Sequence, residues 1–157
     1  MGFQKTLNRD LPVGVEGDFA STNPYHTVLA GEGALKAGAG GVKIGVFAWV
    51  DPATGLVTNA QVANGVLGFV RRDNTALINQ YLAESSMLIP AGFGITLYDK
   101  GDFWARFAGG ATIGQKVFAS ITNGTVTSAA TAPADTVDTG FVVASTAVAG
   151  ALAKITK

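Results

Sequence analysis

Cysteine is absent from these 157 residues, so disulfide staples, thiolate metal sites and cysteine nucleophiles are excluded together. Histidine occurs once, at position 26, which removes any paired-histidine metal site. Charge is scarce as well as balanced: 11 basic residues face 11 acidic ones, and charged residues make up 14% of the chain against roughly 25% in an average soluble domain. Without a net field the chain has no general attraction for nucleic acid or an anionic membrane, and neither is expected as a partner. No stretch reaches the ~18 consecutive apolar residues of a membrane span. The N-terminus lacks the apolar core of a secretory signal, so synthesis in a cytosol is expected.

What remains is a chain of single-domain length, able to bury a core without metal or disulfide. Its surface must be built mostly from Gly, Ala, Thr, Ser and Asn. Such a surface repels other proteins poorly, which suits a molecule covered in an assembly, or else a small bland β-domain.

The first forty residues differ from the rest. Pro12, Pro24 and the glycines of "GEGALKAGAGG" punctuate them, and their larger side chains, Phe3, Leu7, Leu11, Phe19, Tyr25 and Leu29, follow neither a helical nor a strand period. They read as isolated anchors along an extended N-terminal arm, residues 1–40, preceding a single β-domain, residues 41–157. Thirty extended residues reach on the order of 100 Å, far enough to cross a neighbouring subunit.

From Val42 onward short runs rich in Val, Thr, Phe and Ile are bounded by Gly, Asn, Asp and Pro, the pattern of an all-β barrel or jelly-roll-like body. Strands are expected at about 42–50, 55–60, 65–71, 86–90, 93–98, 103–108, 115–122, 124–128, 139–145 and 150–156. At most one short helix is expected, in "NTALINQYLAES", where Leu77, Ile78, Tyr81 and Leu82 form one stripe.

An internal repeat supports two similar halves. "VKIGVFAWVDPATGLVTNA" (42–60) and "ATIGQKVFASITNGTVTSA" (111–129) share Ile-Gly, Val-Phe-Ala, a turn and Gly-x-Val-Thr-x-Ala; Gly68-Phe69-Val70 then answers Gly140-Phe141-Val142. Each unit reads as strand, hairpin, strand, loop, strand, unless two Val- and Gly-rich hairpins merely look alike. Alternation places Val46, Ala48 and Val50 on one face and Phe47 and Trp49 on the other. Placing the Val/Ala face inside sends Phe47 and Trp49 outward to a partner or the arm; with the faces inverted, Trp49 is core.

Groups for catalysis are thin. His26, alone on the arm, reads as a structural hydrogen-bonder. Asp99 and Asp102 frame the turn "YDKGDF", as aspartates do in turns, and fall short of the six to eight oxygen ligands of calcium. "GEGALKAG" and "GAGGVKIG" lack the spacing of phosphate loops. "MGFQKT" matches the myristoylation template at Gly2 with nothing polybasic after it, and "NGT" at Asn123 reads as a hairpin turn rather than a glycosylation site. No serine has a nucleophile-elbow setting. Arg71-Arg72 suits a salt bridge to an acidic neighbour. No catalytic, cofactor or metal residue is expected; the candidate interface residues are Phe3, Leu7, Leu11, Phe19, Tyr25, Phe47, Trp49, Arg71 and Arg72.

The stretch "ALINQYLAESSMLIPAGFGITLYDKGDFWARF" (76–107), followed by "IGQKVFA", "NGTVTSA" and "TGFVV", resembles the small capsid decoration or cement proteins of tailed bacteriophages. The opening "GFQKTLNRDLPVGVEGDFASTNPYHTVLAG" does likewise. The resemblance implies a β-barrel or jelly-roll-like body on the outer surface of the virion capsid, bridging major capsid protein subunits, often as a homo-oligomer or beside copies of itself. It brings no cofactor and no enzyme activity. A second reading is a β-barrel receptor- or glycan-binding virion module, with Trp49, Trp104 and Tyr98 as a stacking platform. Deleting residues 2–30 is expected to abolish capsid or oligomer binding and leave a folded barrel.

Overall fold

The computed structural model describes residues 13–73, 81 and 86–157. Thirteen strands lie within them and no helix does; the segment expected to carry the short helix, 74–85, falls almost entirely outside the described residues. The strands are β1 (His26–Thr27), β2 (Lys36–Ala37), β3 (Val42–Lys43), β4 (Phe47–Val50), β5 (Leu56–Thr58), β6 (Val66–Val70), β7 (Leu88–Ile89), β8 (Leu97–Lys100), β9 (Asp102–Arg106), β10 (Lys116–Ser120), β11 (Val126–Ala129), β12 (Thr136–Val143) and β13 (Leu152–Thr156).

They form three open sheets, and none closes into a barrel. The six-stranded sheet runs β1-β8-β6-β4-β5-β2, the five-stranded sheet β11-β10-β12-β13-β9, and β3 pairs with β7 alone. The chain passes from the first large sheet to the second at Gly101, whose φ of 129° fits glycine. Because β8 and β9 on either side of this turn belong to different sheets, the walls pack face to face instead of joining edge to edge.

The six-stranded sheet is buried on both faces. Phe47, Trp49, Phe69 and Tyr98 point into a core shared with Phe103, Ala105, Val117, Ala119, Phe141 and Ile155 of the five-stranded sheet. Their neighbours Ala48, Val50, Val70 and Leu97 point the other way, into a second core with Leu35, Val42, Ile44 and Ile89. This corrects the outward placement of Phe47 and Trp49, which are 0% and 2% exposed. "FAWV" is apolar on both faces because both are interior, and alternation carries no inside-outside signal in such a strand.

The internal repeat is a repeat of topology. β4 lies between its hairpin partner β5 and β6, and β10 lies between β11 and β12 in the same order. Gly45 and Gly114 open the two units with φ of 78° and 84°, and each donates its N–H at 2.9 Å to a carbonyl of the third strand, Val70 or Val143. The hairpin glycines Gly55 and Gly124 match as closely, at 69° and 68°. The second unit differs by the extra Gln115-Lys116, opposite which β12 slips register between its pairings with Lys116 and Phe118.

Candidate interaction surface

The described part of the N-terminal forty residues is strapped onto the body. Trp104 and Asp102 of β9 exchange backbone hydrogen bonds with residues 17–20: Gly17 N–H to Trp104 C=O at 2.7 Å, Trp104 N–H to Asp18 C=O at 2.9 Å, and Ala20 N–H to Asp102 C=O at 2.8 Å. Glu16 meets the Arg106 guanidinium at 2.7 Å. Further along, β1 joins β8 and β2 joins β5, two strands too short for any periodicity to reveal.

This strap gathers four of the sequence-nominated residues on one seam. The Phe19 ring stacks on Phe103 at 5.4 Å and meets Tyr25 at 5.0 Å and the edge of Tyr98 at 5.7 Å. Arg71 lies over Phe19 at 4.4 Å, and its guanidinium donates to the Tyr98 hydroxyl at 3.5 Å. Such a cation over an aromatic face contributes about 0.5–2 kcal/mol. Arg72 donates its backbone N–H to Gly17 at 2.6 Å and its guanidinium to the Met87 sulfur at 3.5 Å. Arg71 through its side chain and Arg72 through its backbone N–H thus both contact the chain's own strap. Tyr25, 57% exposed, leaves this cluster open to the outside. Phe3, Leu7 and Leu11 lie outside the described residues.

The turn aspartates are spent on the same strap. Asp99 takes His26 Nδ1 at 2.6 Å, and Asp102 accepts from the Ser21 hydroxyl at 2.5 Å and the Asn23 amide at 2.7 Å. Burial pushes the Asp102 carboxyl up, but hydrogen bonds from Ser21, Thr156 and Asn23, with the nearby Lys154 charge, outweigh it and hold the group below its ordinary value of 3.8. A depressed carboxylate contributes stability that is present above its unfolded value and lost as pH falls through its folded one. Acidification below about pH 4 is therefore expected to loosen residues 20–23 before the body unfolds. Hydrogen-exchange protection at Ala20 and Asn23, taken relative to the intrinsic rate at each pH, is expected to fall with acid in the wild type and to be low throughout in Asp102→Asn; identical acid dependence of protection in both would refute it.

The stacking platform of the second reading is not assembled. Trp49 and Tyr98 are buried, while Trp104 packs under Gly14 and carries Lys154 over its ring at 5.2 Å. A shallow apolar depression of about 230 Å³ is lined by Val28, Leu35, Val50 and Pro52. Leu29, 91% exposed, and Val66, 45% exposed, stand at its rim. Among the described residues no three His, Cys, Asp or Glu side chains converge as a metal site would need.

The fold of open sheets has a counterpart in a phage shell. The chain aligns over 99% of its length with 97% of a chain in the capsid of Myoviridae phage XM1, at a TM-score of 0.63 and 15% identity, which establishes a common fold. It belongs to the XM1 gp53 minor capsid protein family, whose profile it matches across residues 3–157. No curated protein matches it.

Proposed function

We propose that this protein is a decoration, or cement, protein of a tailed-phage virion. Made in the host cytoplasm, it binds the outer surface of the assembled capsid and bridges neighbouring major capsid protein subunits, beside further copies of itself and without catalysis. The observation that carries this reading is membership of a minor capsid family over residues 3–157. A surface with few charges, suited to being covered, supports it. The mechanism is linkage: a protein that binds only the assembled lattice stabilises that lattice by its binding free energy at every site.

In this reading residues 1–40 act as the arm and 41–157 as the body, and the strap divides the arm's labour. Residues from Gly14 to Ala37 hold it to the body, and the grip on the capsid is assigned to Phe3, Leu7 and Leu11 together with Tyr25, Arg71 and Arg72. The deletion of 2–30 is therefore the wrong test, since it also removes Phe19 and β1 from the fold. Deleting residues 2–12 is expected to leave the thermal midpoint within about 3 °C of wild type and to cut occupancy on purified shells more than about tenfold, a loss of about 1.4 kcal/mol or more. Full occupancy by the truncated protein would refute the arm's role. Failure of the full chain to bind shells, or to raise their resistance to heat, would refute the cement function itself.

A further inference from the structure

Four strands end the two larger sheets, and three of them are managed. β1 and β2 are two residues long, and β2 is bridged to Gly94 on its far side. β9 carries residues 17–20 along its outer edge. β11, Val126–Ala129, is different: β10 pairs with it on one side in unbroken register, and no described residue pairs with the other.

The phase of that ladder shows which groups are free. Ser120 N–H donates to Thr125 C=O at 3.0 Å, so by alternation Thr127 and Ala129 bond to β10, while the N–H and C=O of Val126 and Ser128 point outward. Edges exposed in this way are usually guarded by a lysine, a proline or a bulge. This one has none of them. From Ile121 to Ala134 the chain has no charged residue, and its one proline, Pro133, lies beyond the strand.

We infer that β11 is an association edge and that its partner is β11 of a second copy, antiparallel about a twofold axis through Thr127. A twofold contact must be complementary to itself, and an uncharged edge meets its own image without like-charge repulsion. In this register Val126 of each copy exchanges backbone bonds with Ser128 of the other, Thr127 faces Thr127, and the two five-stranded sheets become one. Threonine pairs directly opposite each other are favourable cross-strand neighbours. A contact of four residues per copy is small, so the pair forms where copies are concentrated. The inference deepens the cement reading by supplying the contact between adjacent copies, and rests on that reading only for where copies gather.

The absence of cysteine makes the register directly testable. At a non-hydrogen-bonded antiparallel pair the Cα atoms stand about 4.5 Å apart, inside the span a disulfide can bridge. Under mild oxidation at high protein concentration, Thr127→Cys is expected to form a covalent dimer roughly tenfold faster or more than Thr54→Cys, which sits in the exposed hairpin turn of the first unit, because pairing raises the local thiol concentration. Thr127→Lys is expected to abolish self-association in sedimentation at the same concentration. Equal linking rates at positions 127 and 54 would overturn the inference. So would loss of shell occupancy by Thr127→Lys without preferential linking at 127, since the edge would then belong to a strand of another protein. Linking is read on free protein, so it succeeds or fails independently of capsid binding.

Discussion

Replacing Gly124 with alanine is expected to destabilise the protein by about 4 kcal/mol, while the same change at Gly55, its counterpart in the repeat, costs about 1–2 kcal/mol. Both glycines sit at nearly the same positive φ, 68° and 69°, so both alanines carry the strain of a left-handed residue. Only one meets a wall. A Cβ on Gly124 would stand 1.9 Å from the Phe47 carbonyl oxygen, whereas one on Gly55 finds nothing nearer than Ala34 O at 3.9 Å. Phe47 N–H donates to Gly124 C=O at 2.9 Å, and the Asn59 side chain donates to Phe47 C=O at 3.0 Å. The second hairpin thus presses its turn into β4, and a methyl group there must displace backbone on both sides. Urea or thermal unfolding of the two variants is the measurement; for a chain of this length the difference of 2–3 kcal/mol corresponds to roughly 4–12 °C in midpoint. Equal losses would mean that the close approach has no energetic weight.

The second large effect is expected at Phe103. Its side chain is fully buried and its ring lies 4.8 Å from Phe69, 5.4 Å from both Phe19 and Tyr98, and 6.2 Å from Phe141. It therefore joins the six-stranded sheet, the five-stranded sheet and the strap. Phe103→Ala is expected to cost about 3–5 kcal/mol through lost transfer energy and a cavity. Because Phe19 stacks on this ring, exchange at residues 17–25 should rise beyond the global change, while Phe103→Leu restores most of the stability and only part of the strap's protection. A uniform rise in exchange across the molecule would show that the strap does not depend on this contact.

Much of the strand order was legible because β-branched runs bounded by glycine and asparagine mark their own ends. The expected segments at 65–71, 115–122 and 150–156 contain β6, β10 and β13, and the one at 103–108 covers β9 from Phe103 onward. The faces of β4 were not legible, since a strand buried on both sides has no polar alternation to break the tie. Nor was closure. A repeat implies two similar units, but whether their sheets join depends on pairings between distant residues, and β8 and β9 separate at Gly101 for reasons no local window contains. Phe19, Tyr25 and Arg71 were each conspicuous alone. Their meeting was hidden, because spacing along a Pro- and Gly-punctuated leader says which side chains want cover and not what covers them. The Asn123-Gly124 turn was visible as a turn, while its contact with Phe47, made by residues far apart in sequence, was not.

Ser21 and the Asp102 that holds it are 81 residues apart. At a translation rate of about 5–20 residues per second, the leader leaves the ribosome roughly 4–16 s before its docking strand exists. Phe19 and Tyr25 are thus made well before the strand that covers them, and for those seconds their rings stay open to other neighbours.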